Sequence, residues 1–272
     1  MNSTRLAIAA CLLMLATGTA PAIASSSTTD TTDIWWANPA GSENGWGIQF
    51  VQNNATVFAT MFVYGPDGQP TWYVATLVPP TVGSFVWQGD LYTTTGSWLG
   101  TVPYNPASFT VRKVGTMTWI LSTISSGTLT YTVDGVAVMK SLVRQTLASE
   151  NVAGSYYGGL VYKSVGCNPV SAAGAHSDYA SLTVTKNAAV VTILEQLNTG
   201  GSCTYSGTYA QTGRMGEIDG GFFSCTDGTS GNFAAFEIEV SISALAGRFT
   251  ASNQVCSTIE GRFGGVRSTP YQ

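Results

Sequence analysis

Short alternations of apolar and polar residues run along most of this chain, and the period they keep is two, the period of a strand. Leu129, Tyr131 and Val133 alternate with Thr128, Thr130 and Thr132; Asp134-Gly135 follows, and the run from Val136 to Met139 resumes the pattern. Two such runs joined by Asp-Gly predict a hairpin, because the turn that matches strand twist needs positive φ at both central residues. Pro66-Asp67-Gly68 separates Val57–Tyr64 from Thr71–Leu77 in the same manner. Further on, Phe236, Ile238, Val240 and Ile242 alternate with Glu237, Glu239, Ser241 and Ser243, and Lys186-Asn187 divides Leu182–Thr185 from Val190–Leu194. No stretch carries a helix of convincing length. The expected fold is all-β: two tandem small antiparallel β-barrels or sandwiches, each a meander of roughly eight strands.

The tandem division comes from two residue types that do not mix. All seven Trp lie between Trp35 and Trp119, whereas four of the five Cys lie between Cys167 and Cys256. We therefore expect a Trp-rich domain over 34–148 and a disulfide-bonded domain over 152–268, each close to ordinary domain size. The second carries a short repeat of Gly and aromatic residues: Gly207/Tyr209, Gly221/Phe223, Gly231/Phe233, Gly247/Phe249 and Gly261/Phe263. Gly two positions before a ring lets strands coil while the ring fills the interior.

The N-terminus sets the compartment. One positive charge at Arg5, an apolar run from Leu6 to Leu15 and small residues at Ala22 and Ala24 are the parts of a secretory signal peptide, with cleavage after about Ala24. That apolar run is shorter than the roughly 20 residues needed to span a bilayer, and no later stretch is a better transmembrane candidate. A lipoprotein reading at Cys11 leaves only about five apolar residues after Arg5, below a working core length. Residues 25–33, all Ser, Thr or Asp, read as a flexible polar leader. The expected localisation is secreted or periplasmic.

Four cysteines in an exported domain allow three connectivities of two disulfides. Cys203 opens a strand, Gly213–Gly216 turns it, and Cys225 ends the return, so that pair faces itself across a hairpin. Cys167 follows the domain's first strand and Cys256 precedes its last; those strands are antiparallel neighbours in a closed barrel. The expected bonds are Cys203–Cys225 and Cys167–Cys256, both structural.

Charge excludes one class of partner. Charged residues are 10% of the chain and the net charge is −4, with no basic stripe to neutralise phosphates, so nucleic acid is not expected. Catalytic candidates are thin. His176 precedes Asp178 and could join a serine in a triad; an exposed loop histidine is the plainer reading, and no G-x-S-x-G elbow exists. Cys225–Asn232 has alternate oxygen donors but neither the density nor the final Glu of a calcium loop. Glu237 and Glu239 read as the wet face of an alternating strand. No catalytic residue, metal or cofactor is expected.

Aromatic residues are the remaining chemistry. Trp35, Trp36, Trp46, Tyr64, Trp72, Tyr73 and Trp87 are the expected ligand-binding set, with Trp98 close by; rings on a β scaffold stack on sugars and small apolar ligands. Most would serve equally as core. The adjacent pairs Trp35-Trp36 and Trp72-Tyr73 must each split between the two faces of a strand.

Trp35-Trp36-Ala37-Asn38-Pro39, Glu43, Gly45-Trp46-Gly47, then Phe62, Tyr64, Gly68, Pro70 and Trp72-Tyr73 resemble a module of uncharacterised secreted proteobacterial proteins, with the pattern W-x-N-P-x-E-x-G-x-G and F-x-Y-x-x-x-G-x-P-x-W. The hairpin from Gly127 through Lys140 and Arg144 is similar to that module's end. Ala37 and an inserted Ser42 depart from the pattern without touching its aromatic and Gly positions. The resemblance implies an exported β module, sometimes in tandem, and no activity. The expected function is a non-enzymatic binding module for a glycan, a small apolar ligand or a partner protein; the alternatives are a structural or surface-assembly protein, or a hydrolase using His176.

Overall fold

The computed structural model describes residues 29–268 except Val82. The signal peptide expected over 1–24 and the first residues of the expected leader lie outside the described residues.

Two closed antiparallel barrels of eight strands each follow one another along the chain. The first is β1 (Asp33–Ala37), β2 (Gly47–Asn53), β3 (Thr56–Tyr64), β4 (Pro70–Leu77), β5 (Val86–Thr95), β6 (Thr110–Leu121), β7 (Ser126–Val133) and β8 (Val136–Arg144). The second is β9 (Gly154–Cys167), β10 (Gly174–Asn187), β11 (Val190–Leu197), β12 (Ser202–Thr212), β13 (Met215–Cys225), β14 (Ser230–Val240), β15 (Ala244–Asn253) and β16 (Cys256–Arg267). Each strand pairs with its neighbour in sequence; β8 returns to β1 through Trp35↔Arg144, and β16 to β9 through Cys256↔Cys167. Closure leaves neither sheet an edge. Among the described residues the helical turns are two three-residue 3-10 turns.

Turn chemistry fixes the registers. Asp134 (φ 47°) and Gly135 (φ 86°) make the expected two-residue turn, holding Val133 opposite Val136. The turn after β10 falls two residues later than Lys186-Asn187: Asn187 pairs with Val190, and Ala188 takes the positive φ of 52°. The pattern in β14 is also broken. A bulge between Phe236 and Glu239, with Glu237 at φ 53°, shifts the strand's phase. Phe236 is thereby put outside under the Arg248 guanidinium while Ala235 and Ile238 face in. Glu237 is buried, not on a wet face.

The two interiors are filled differently. In the first barrel Trp35, Trp87 and Trp119 are fully buried with Phe50, Met61 and Leu129. Trp35 and Trp119 meet edge to face at 4.8 Å, and Phe50 lies 4.9 Å from Trp119. In the second barrel the Gly–aromatic repeat produces reciprocal pairs across the sheet. Gly221 faces Phe233 and Phe223 faces Gly231 between β13 and β14; Gly247 faces Phe263 and Phe249 faces Gly261 between β15 and β16. A Cβ on Gly247 would come within 2.5 Å of the Phe263 ring, and one on Gly221 or Gly261 would likewise meet the Phe233 or Phe249 ring, so these three rings occupy the space their partner glycines leave.

Residues 29–33 are not a free leader. Thr31 is fully buried; its carbonyl accepts from Trp35 Nε1 (3.0 Å), its hydroxyl from Trp119 Nε1 (2.8 Å), and its N–H donates to Gln52 Oε1 (2.9 Å). Arg144, without exposed side-chain surface, donates to the carbonyls of Ile124, Thr32 and Asp30 and to Asp33 Oδ2, with its guanidinium 4.6 Å from the Trp35 ring centre. The β12–β13 turn of the second barrel enters the same cluster. Gly213 N–H donates to Thr146 Oγ1 (2.8 Å), Arg214 N–H to Asp33 Oδ2 (3.1 Å) and Arg214 Nε to the Thr32 carbonyl (2.8 Å). The polar segment is thus ordered because buried indoles and a buried guanidinium consume its backbone groups.

Candidate functional site

The rings expected to bind ligand divide between the faces of the first barrel. Trp35 and Trp87 have no exposed surface, and Trp87 Nε1 donates to the Ala55 carbonyl; both rings are closed to a ligand here. Tyr73 is half-buried and packs on the same core. Trp36 and Trp72 face outward, so each adjacent pair splits as strand geometry requires. On the outer wall Trp72 stands opposite Phe62 and Tyr64 opposite Pro70, with the Trp72 and Tyr64 rings about half exposed. Trp36 and Trp46 border a surface cleft of about 240 Å³ with Glu43, Gly45 and Gln145. Lys140 pairs with Glu43 and lies 5.2 Å from the Trp46 ring centre, while Trp36 Nε1 is buried without a hydrogen-bond partner.

A second concavity lies inside the second barrel. The end nearest the first barrel is packed shut by Tyr156, Tyr209, Ile218, Ile238 and Leu245. The other end is framed by both disulfides, Cys203–Cys225 and Cys167–Cys256, which form the expected pairs across β12/β13 and β16/β9. Between them opens a cavity of about 260 Å³ that reaches from Cys203, Cys225 and Asn253 at the rim down to Leu160, Glu195 and Phe249. A further pocket of about 40 Å³ continues it towards Leu182, Phe233 and Phe263. Tyr205 stacks on Phe223 at 5.4 Å and meets Phe233 edge-on at 5.3 Å, giving an aromatic wall.

Two tyrosine–carboxylate pairs sit in this wall. Tyr205 OH donates to Glu195 Oε2 (2.9 Å) and Tyr162 OH to Asp178 Oδ2 (3.1 Å). Alternation places them: Glu195 follows Val191 and Ile193 on the inward face of β11, and Asp178 precedes Ala180 and Leu182 on β10. Glu195 is 3% exposed, and its one hydrogen bond among the described residues engages Oε2, leaving Oε1 without a partner there. Burial pushes its carboxyl above the ordinary glutamate range; the Tyr205 hydrogen bond opposes this and the Asp178 charge adds to it. Burial also raises both phenols, helped by the adjacent carboxylates, Tyr162 to about 12. His176 is not an exposed loop residue. It lies in β10 opposite Tyr162 and stacks on that ring at 5.0 Å, with Nε2 buried and unpartnered. No serine or carboxylate hydrogen-bonds to that nitrogen among the described residues. Glu237 and Glu239 face the junction between barrels, where Glu237 accepts from Thr29 and Arg248 and Glu239 pairs with Arg214.

The raised Glu195 carboxyl makes a stability prediction. Between the ordinary glutamate pKa and the raised one, the folded chain holds a proton the unfolded chain has released, so stability falls as pH rises through that window. Glu195→Gln keeps an acceptor for Tyr205 and removes the ionisation. The melting temperature of the variant at pH 7 is expected to exceed that of the wild type by a few degrees, and its pH profile to be flatter from pH 4 to 8 in calorimetry. A lower melting temperature at pH 7 would contradict the burial argument.

No protein-family model and no curated protein matches the sequence. Among solved structures, a protein of unknown function from the DUF3598 family of Nostoc punctiforme aligns over 87% of this chain and 96% of its own, at 10% identity and a TM-score of 0.25. A superposition that loose carries no argument about fold or function.

The sequence draws attention to the Trp-rich half for binding chemistry and gives no such prominence to Tyr162, Glu195 and Tyr205. The signal for them is nonetheless present in β11: Val191, Ile193, Glu195 and Leu197 share one face, and a carboxylate among three apolar residues marks an interior position with a polar task.

Proposed function

We propose that this chain is an exported, non-enzymatic binding protein whose second barrel takes a small ligand with an apolar body into the cavity between its disulfides. The observation that carries the reading is the buried Glu195, with one oxygen unengaged, on the wall of an aromatic-lined cavity. A carboxylate at 3% exposure costs stability unless something uses it. An eight-stranded barrel interior is just wide enough to be filled by side chains, as in the first barrel, or to hold one small ligand. The two disulfides fit an oxidising compartment, extracellular or periplasmic, and no described helix is long and apolar enough to cross a membrane. Export through a signal peptide cleaved after about Ala24 completes the proposal.

The test is calorimetric titration of the processed protein with small aromatic and alkyl compounds. Ala251→Trp, which puts an indole into the cavity wall, is expected to weaken binding at least tenfold, and Thr229→Trp at the rim to do the same. Intrinsic Trp emission of the wild type should stay constant throughout, since every Trp lies in the first barrel. Undiminished affinity in both folded variants would sink the reading.

A second reading rests on the unpartnered Trp36 Nε1 in the cleft beside Trp46. An indole donor next to a second ring and two polar side chains suits stacking and hydrogen bonding to a sugar. A saturable change in Trp emission on adding oligosaccharides, lost in Trp36→Phe, would support it.

A further inference from the structure

The donor and acceptor inventory of the second-barrel cavity is one-sided. Three carboxylates, Asp178, Glu195 and Asp227, line it, and no lysine or arginine does. Its phenol donors are spent, Tyr162 on Asp178 and Tyr205 on Glu195. The Thr229 hydroxyl and the Asn253 amide, both at the rim, are the side-chain donors that are left. What the wall offers a guest is acceptor atoms, above all Glu195 Oε1, and the faces of Tyr205, Phe223 and Phe249. A neutral acceptor-rich ligand or an anion would meet unrelieved negative charge here. A ligand that brings N–H donors and positive charge satisfies the free oxygen and gains from the ring faces as well.

Resting on the reading that this cavity is a ligand site, we propose that its ligand is an organic amine, bound with the ammonium against Glu195 and Asp178 and the apolar body among the aromatic rings. The acceptor left free on a side chain almost wholly out of water is the specific observation; the surrounding carboxylates set the sign of charge. The titratable groups that act on Glu195 from the neighbouring strands are Tyr205, Asp178 and Tyr162; Asp227 lines the same cavity at the rim, and His176 stacks on the Tyr162 ring. Ionisation of Glu195, whose carboxyl burial raises above the ordinary glutamate range, adds negative charge to the wall, so amine affinity should rise as pH rises through that ionisation.

The experiment compares three head groups on common bodies by calorimetry: 2-phenylethylamine, 2-phenylethanol and phenylacetate, then hexylamine, hexanol and hexanoate. The amines are expected to bind at least tenfold more tightly than the matched alcohols, and the carboxylates more weakly still. The preference should shrink to about threefold or less in Glu195→Gln and fall in Asp178→Asn, with thermal melts confirming that both variants fold. Alcohols binding as well as amines, carboxylates binding best, or an amine preference unchanged in both variants would overturn the amine assignment and leave the cavity reading standing. Absence of binding by all six compounds would count against the cavity reading itself, and the amine assignment would fall with it.

Discussion

Replacing Arg144 with alanine should lower the melting temperature of the first barrel by roughly 10–20 °C, the shift that a loss of about 3–5 kcal/mol produces in a domain of this size. The guanidinium has no exposed surface and serves four separate acceptors: the Ile124, Thr32 and Asp30 carbonyls and the Asp33 carboxylate. Alanine removes all of these donors at once and leaves Asp33 Oδ2, in a buried junction, with the Arg214 N–H as its donor. The Trp35 ring also loses the cation above its face. Lysine should recover little, because one ammonium cannot span the arc of acceptors that the planar fork reaches. Trp emission follows this transition without interference, since all seven indoles belong to the first barrel. A shift below about 3 °C would mean that the junction is not what holds residues 29–33 against the barrel.

The second large effect falls on barrel closure. Cys167–Cys256 joins the first and last strands of the second barrel over 89 residues of chain, whereas Cys203–Cys225 spans a hairpin of 22. Loop-closure entropy makes the long cross-link worth about 4–5 kcal/mol and the short one about 3 kcal/mol. Urea unfolding of Cys167→Ala/Cys256→Ala should therefore show the greater loss, with a measurable drop in midpoint relative to Cys203→Ala/Cys225→Ala. Cys203 and Cys225 line the cavity, so the hairpin double variant should also weaken ligand binding through a looser rim. An equal or greater cost for the hairpin pair would contradict the entropic ranking.

Much of this architecture is legible in the sequence, and for local reasons. Asp134-Gly135 is a two-residue turn whose chemistry sets register directly, and the turn read at Gly213–Gly216 closes tighter, on Gly213-Arg214 with Thr212 opposite Met215; once the strands are in register the two cysteine pairs have one sensible arrangement. The Gly–aromatic repeat likewise announces interior rings, though not that Gly221 faces Phe233 while Phe223 faces Gly231; that reciprocity needs the cross-strand register. The failures are non-local. Thr29–Asp33 read as a solvated leader because their composition is polar, and only the distant Trp119, Arg144 and Arg214 make burying them favourable. Phe236 and Glu237 exchange faces because a bulge in β14 adds a residue that alternation cannot reveal. The aromatic cluster is visible in the sequence, but which rings are core depends on strand phase. Its counterpart in the second barrel, a lone glutamate on the apolar face of β11, is quieter in the sequence and says more about the site.

Whether the second barrel holds a ligand inside is tested most directly by methyl-resolved NMR of the processed protein during titration with 2-phenylethylamine. Saturable shifts confined to Leu160, Leu182, Ile193, Ala235 and Ala251, which line the cavity and its inner pocket, are expected, with the methyls of the first barrel unmoved. Saturable shifts that cluster instead around the outer wall of the first barrel, at Val51 and its neighbours, or that leave the second barrel's interior silent, would contradict an interior site.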